Sequence, residues 1–263
     1  MDARASAALR AYRDWLALGN ERLEDGGATF IVGRDWPRVY DANHVTDIPT
    51  DADPARLLRA AARAFGHAPH LRFDTDKRTS RAFTEALASA GFRASRATLM
   101  LAERPPEQVG ARPRMRRVAS PADWAAMRPF VEADVAADDG LAPEPRDAEL
   151  GGQFWRYLRA KCPPGGAWLA HAGDTPIGYC NAWVAANGVG VIEWLCTAPA
   201  HRNRGVASAL LAHCARECRA AGAHAIALTV AEDGPLEFYR KRGFETVAEF
   251  SEWWRQEERQ AGR

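Results

Sequence analysis

Apolar positions along the chain switch repeatedly between helical and strand spacing. Residues 3–18 carry apolar side chains three and four apart, with Tyr12 and Trp15 among them, which predicts a helix. Residues 28–33 form a short β-rich run, and residues 38–48 form an extended one broken at Asp41-Ala42-Asn43. Asp53 and Pro54 suit the cap and first position of a helix over 54–65. A strand over 70–74, a helix over 80–90 closed by Gly91-Phe92, and a strand over 94–102 follow. Residues 103–113 hold three prolines and a glycine and read as a linker.

The second half opens with a strand at 114–118, a helix at 121–136, an acidic proline-bearing loop at 138–145 and a helix at 148–161. Strands at 167–171, 177–185 and 189–196 are separated by the turns Gly173-Asp174 and Asn187-Gly188. An amphipathic helix then runs to Ala221, with Val206, Leu210, Cys214 and Cys218 four apart and Leu211 beside them. A strand at 225–230, a short helix and a last strand at 245–250 end the pattern. The first half repeats the second half's order of strand, strand, helix, strand, helix, Gly-Phe, strand. That repetition predicts an internal duplication: one domain over 1–110 and another over 111–263.

Composition narrows the partners. A net charge of +1 gives no reason to expect nucleic acid or an anionic membrane. Basic residues are almost all arginine, the lysines being Lys77, Lys161 and Lys241. The five cysteines make no metal-type pairs, so no metal is expected. They also suit a reducing cytoplasm, and the charged first residues do not resemble a signal peptide. No apolar run is long enough to span a bilayer.

Two segments carry chemistry. The first is Thr197-Ala198-Pro199-Ala200-His201-Arg202-Asn203-Arg204-Gly205-Val206-Ala207-Ser208, a strand end, a basic turn and a helix opened by glycine. Unpaired N–H groups at a helix start can hold a phosphate, and a glycine lets the backbone approach it. The second is Gly234-Pro235-Leu236-Glu237-Phe238-Tyr239-Arg240-Lys241-Arg242-Gly243-Phe244, a short helix with an aromatic pair stopped by glycine. Together they resemble the GCN5-related N-acetyltransferase (GNAT) superfamily over about 113–254.

The resemblance implies an α/β fold of tandem GNAT type, a mixed sheet splayed between two central strands with acetyl-coenzyme A in the split. It implies cofactor contacts at Leu195, Cys196 and Thr197 and at Arg202, Asn203, Arg204, Gly205, Val206, Ala207 and Ser208. It also implies Tyr239 as the acid that protonates the leaving sulfur. Two departures stand out: Ala207 replaces the second glycine of the loop, and Glu232 replaces an asparagine that often meets the cofactor arm. The first half has Asp51, Asp53 and Pro54 where a pyrophosphate loop would be, so it is expected to be degenerate.

Acetyl transfer to an amine also needs a base, because an alkylammonium is not nucleophilic. Glu193, alone in the apolar strand Val191-Ile192-Glu193-Trp194-Leu195, is the candidate base, and an N–H near Cys196 the candidate oxyanion donor. The alternative for Glu193 is a solvent-facing residue on an open sheet. The resemblance implies that the first two helices of the domain and the loop between them shape the acceptor pocket, and Glu132, Asp134, Asp138, Asp139 and Glu144 there, with Trp155 and Tyr157, suit a small cationic amine. The expected function is therefore direct acetyl transfer from acetyl-coenzyme A to a primary amine by a cytoplasmic monomer or homodimer. A non-catalytic acyl-coenzyme A binder and a peptide N-acetyltransferase are the alternatives.

Overall fold

The computed structural model describes residues 2–108, 110, 112–137 and 147–257. The first half contains α1 (Ala3–Ala17), β1 (Glu21–Asp25), β2 (Ala28–Val32), β3 (Asn43–Thr46), α2 (Pro54–Ala64), β4 (His70–Asp76), α3 (Arg81–Ser89) and β5 (Arg93–Ala102). The second contains β6 (Arg114–Arg117), α4 (Pro121–Ala137), α5 (Ala148–Ala160), β7 (Gly166–Ala172), β8 (Thr175–Val184), β9 (Val189–Thr197), α6 (Val206–Ala220), β10 (Ala225–Ala231), α7 (Leu236–Arg240) and β11 (Glu245–Gln256). Among the described residues all strands join one mixed sheet, ordered β1-β2-β3-β4-β11-β5-β10-β9-β8-β7-β6.

That order contains a reciprocal exchange. The last strand of each half leaves its own half and lies beside the other half's inner strand. β5 pairs with β10, and β11 pairs with β4. The two ladders match in register: Ile226 lies opposite Ala102, and Leu71, at the corresponding place, lies opposite Arg255. β5 and β11 meet antiparallel at the centre. In both halves a parallel pair stands next to the exchanged strand, β3 with β4 and β9 with β10. A residue with left-handed φ follows the parallel pairing in each: Asp47 (φ 52) beyond β3 and Trp194 (φ 51) within β9. The tandem architecture expected from the repeated element order is present.

Two strands depart from the sequence reading for clear physical reasons. β1 gives no hydrophobic signal because Glu21-Arg22-Leu23-Glu24-Asp25 is an exposed edge, where charge discourages further pairing. β11 extends to Gln256 rather than ending at 250, because its second part is held on both sides by β4 and β5.

The helices cover both faces. On one face α2 and α3 bury Phe65, Phe83 and Leu87 against Phe30, Val45 and Phe73, and α6 packs Leu210, Leu211 and Cys214 against Ile226, Leu228 and Ile192. Cys214 and Cys218 are buried, as their spacing predicts. On the opposite face, α4 and α5 cover β7 to β9. There α1 crosses from its own half, burying Leu9, Tyr12 and Trp15 against β5, β9, β10 and β11.

Lys161, the C-cap of α5, ties α1 down. Its ammonium is fully buried and donates to the carbonyls of Trp15 (2.6 Å), Leu16 (3.1 Å) and Leu18 (3.3 Å). It also lies over the rings of Tyr157 (4.2 Å) and Trp15 (4.9 Å). These carbonyls end α1, where intrahelical donors run out and the helix dipole favours a cation. Burial pulls the ammonium down to about 7. Replacing Lys161→Met removes three hydrogen bonds at the end of α1, with only the Trp15 and Leu16 carbonyls keeping another donor, so urea unfolding should show a loss of about 2–4 kcal/mol. A loss below about 0.5 kcal/mol would mean that the contact does not hold α1.

Candidate active site

The parallel pairing of β9 with β10 covers Val189 to Val191 opposite Ala225 to Ala227 and then stops. Beyond it β9 runs to Thr197 and β10 to Ala231 without pairing to each other, so a split opens between them. β9 stays on β8, with a bulge between the pairs Asn181–Glu193 and Tyr179–Cys196. Ala198 donates its N–H to Ile177 at 2.9 Å. Amides alternate sides along an antiparallel ladder, so Cys196 and Ala198 turn toward β8. Leu195 and Thr197 therefore turn theirs toward the split.

Glu193 bridges the mouth of the split. Its Oε1 accepts the backbone N–H and the hydroxyl of Thr229 on β10, both at 2.9 Å. Burial pushes its carboxyl up to about 8, against the two Thr229 bonds, with Asp41 and Glu252 adding to the rise. Glu193 is thus not a solvent-facing residue on an open sheet. It lines a cavity of about 450 Å³ on the α1, α4 and α5 face.

At the other end of the split, a single helical turn at Pro199–His201 leads into the basic loop. Arg202, Asn203 and Arg204 are exposed, and the Arg202 guanidinium donates to the Thr197 carbonyl at 3.3 Å. Asn203 (φ 59) and Gly205 (φ 85) turn the backbone through the left-handed region. Gly205 caps α6 without any side-chain hydrogen bond. The first helical bond is Ala209 N–H to the Gly205 carbonyl, so the amides of Val206, Ala207 and Ser208 precede it. The side chains of Val206 and Ser208 are buried, and the Ser208 hydroxyl accepts from Arg242 Nε at 2.9 Å.

The corresponding place in the first half is closed. Asp53 accepts the amides of Ala55 (2.9 Å) and Arg56 (3.3 Å), so a carboxylate already holds the start of α2. Arg13 bridges Asp47 beyond β3 (2.6 Å) and Asp76 at the end of β4 (3.0 Å). An ion-paired arginine thus joins the two strand ends that are apart in the second half.

Tyr239 stands on the α6 side of the sheet, opposite the Glu193 face, with its ring edge-on to Phe238 (5.0 Å) and Phe244 (6.0 Å). Burial raises its phenol above the ordinary range, which keeps it protonated. Cys196 faces Asp134, and burial followed by that carboxylate pushes its thiol up to about 12, against any thiolate role. Glu232 accepts the backbone N–H of Arg96 at 3.1 Å, so the residue in the asparagine position secures β5.

Other expected residues divide. Asp134 lines the cavity and accepts from the Tyr179 hydroxyl at 3.1 Å. Glu132 instead pairs with Arg128 at 2.7 Å. Trp155 donates to the Trp124 carbonyl at 3.2 Å, and Tyr157 is a core residue whose hydroxyl meets the Leu16 carbonyl at 3.4 Å. Neither of these two rings lines the cavity, and Phe154 and Trp194 do. Asp138, Asp139 and Glu144 lie outside the described residues. Thr229, Asp41, Arg72 and Glu252, all lining the cavity, were not found from sequence. Glu252 lies beside Trp253 in a strand that holds two further glutamates, so it does not stand out as Glu193 does.

With this geometry in view, the family model described as "Acetyltransferase (GNAT) family" matches residues 134–244. The match covers residues 134–244, so this segment is similar to that family. No functionally curated protein is similar enough to match. Among solved structures, a GCN5-related N-acetyltransferase from Kribbella flavida is similar over 97% of this chain and 96% of its own, with 19% identity and a TM-score of 0.68. A functionally unknown conserved protein from Staphylococcus epidermidis has a TM-score of 0.70 at 12% identity, over 91% of this chain and 95% of its own. A tandem GNAT protein from the clavulanic acid biosynthesis pathway matches 81% of this chain and 75% of its own, at 13% identity and a TM-score of 0.51. These similarities establish the fold. Among the described residues no metal-binding cluster is present, and no helix is long and apolar enough to cross a membrane.

The Thr229 bonds favour the charged form of Glu193. Thr229→Val removes one of them, so an NMR titration should find the Glu193 carboxyl about one unit higher than in the parent. An unchanged titration would show that Thr229 does not tune it.

Proposed function

We propose that the chain is an acetyl-coenzyme A-dependent N-acetyltransferase acting on a primary amine of a small cationic molecule, by direct transfer. The observation that carries this reading is the continuity of three features. The uncapped start of α6, the free edge of β9 and the raised carboxyl of Glu193 lie along one split. The amides of Val206, Ala207 and Ser208 suit a diphosphate, with Arg202 and Arg204 adding charge. Leu195, Cys196 and Thr197 form the strand edge on which an extended pantetheine arm is held by backbone bonds. The first half, about 1–110, is read as a degenerate domain without a cofactor, since Asp53 and Arg13 occupy the matching places. The domain over 111–263 holds the chemistry, and the cytoplasm supplies the thioester.

Bound acetyl-coenzyme A supplies the activated acetyl group. Glu193 removes a proton from the acceptor ammonium, and a carboxyl titrating at about 8 is close in strength to the amine it serves. The Leu195 N–H, on the open edge beside Cys196, is the candidate donor to the developing oxyanion. Tyr239 delivers its phenolic proton to the departing sulfur as the new amide bond forms and the thioester bond breaks, and the tyrosinate takes up the second proton of the acceptor nitrogen. Asp134, Phe154 and Trp194 offer acidic and aromatic surface to a cationic acceptor.

Thiol release over a panel of amines tests the reading. Turnover should rise with pH through about 8, since Glu193 acts only when deprotonated. In Glu193→Gln that limb should vanish and the rate fall by about 10²–10⁴. Tyr239→Phe should lower kcat by about tenfold or more while KM for acetyl-coenzyme A stays within about twofold. Equal turnover in Tyr239→Phe removes the tyrosine as acid. Binding without turnover on any amine would leave a coenzyme A binder, and activity confined to peptides would reassign the acceptor.

A further inference from the structure

The cavity that Glu193 lines carries a second charged feature, built mainly by the first half. Arg72 of β4 binds Asp74 through Nε (2.8 Å) and Nη2 (3.2 Å), Asp41 through Nη1 (2.7 Å) and Glu252 through Nη2 (2.9 Å). One guanidinium therefore faces three carboxylates. Arg72 and Asp74 enclose each other, each with only 4% of its side chain exposed. Asp41 and Glu252 keep 25% exposed and line the cavity.

Among the described residues the nearby cations are engaged elsewhere or open to solvent. Arg13 is engaged by Asp47 and Asp76, and Arg38 by Asp147 and Glu149. His44 stands 3.9 Å from Asp74 but burial lowers it to about 4, so it is neutral. Arg96 lines the cavity with its side chain open to solvent. Asp74 offsets Arg72, so Asp41, joined by Glu252 when it is deprotonated, leaves negative charge in a partly enclosed space. Enclosed charge of one sign is costly without a counter-ion. The rise of Glu252 to about 7, from burial and the neighbouring Asp74 and Asp41, has the same origin.

The same cavity is also lined by Tyr12, Tyr40, Trp194 and Trp254. Aromatic faces accept alkyl chains and flank cations. The amine that attacks a thioester is neutral at the moment of attack, so it cannot also supply the missing positive charge. We propose that the acceptor is dibasic, with its reacting amine at Glu193 and a second, permanently protonated ammonium or guanidinium held by Asp41 and Glu252. The first half of the chain then selects the substrate for the second. The assignment of the reacting end rests on the transferase reading above, whereas the cation site stands on the cavity itself.

Straight-chain alkyl monoamines and the diamines of equal chain length discriminate. In thiol release with the full chain, diamines should show kcat/KM higher by about tenfold or more, the worth of one charge-assisted contact. In Asp41→Asn/Glu252→Gln the ratio should collapse to within about twofold, mainly through KM for the diamine. Equal kcat/KM for the two series in the parent protein, a comparison that needs no variant, overturns the proposal and leaves the transferase reading intact. A preference that persists in the folded double variant also overturns it. Calorimetry with the same diamines separates the two ideas if no amine reacts. Diamine binding lost in the double variant supports the cation site while the transferase reading fails, and no diamine binding overturns the site.

Discussion

A parallel strand pair that ends after three residue pairs is the constraint on which this molecule depends. Parallel strands are ordinarily satisfied along their length, and an interrupted pair leaves backbone donors and acceptors to be met by something else. In the second half the interruption is prepared. The left-handed Trp194 turns β9 away, and Glu193 spans the gap once, to Thr229. The edge beyond is left to Leu195 and Thr197. The basic loop and α6 then begin where the edge ends.

The two halves use one topology for opposite ends. Each exchanges its last strand with the other, so neither sheet half is complete alone. The exchange places β5 and β11 at the centre and brings Ser95, Arg96, Glu252 and Trp254 beside the cavity. Local electrostatics then separates the halves. Gly205 leaves a helix start without a side-chain cap, whereas Asp53 fills the matching one with a carboxylate. Arg13 holds Asp47 and Asp76 together where the second half stays apart. The first half has the frame of the site but not its open donors, and it contributes a wall instead.

Much of this was legible in the sequence, for physical reasons that can be named. The amphipathic period of α6, the cap Asp53-Pro54 and the glycine stops Gly91 and Gly243 are local signals. They placed the elements, the basic loop and Tyr239. Glu193 stood out because a lone acid in an apolar strand demands a partner. Its partner Thr229 did not, since a threonine in a strand is ordinary and the bond crosses from β9 to β10. β1 was silent because an exposed charged edge has no hydrophobic pattern. Glu252 was hidden because β11 is extended by neighbours from the other half, which no local period records. That Trp155 and Tyr157 lie off the cavity was not legible, because helical spacing does not reveal which face of α5 meets the cavity and which meets α1 and α4.

The asymmetry between Gly205 and Asp53 is the central claim, and binding stoichiometry measures it most directly. Calorimetric titration of the full chain with acetyl-coenzyme A should reach saturation at a single equivalent per chain. That binding should be lost in Gly205→Asp, whose carboxylate would occupy the start of α6, and retained in Asp53→Ser. Two equivalents, no binding at all, or binding that survives Gly205→Asp would contradict the account.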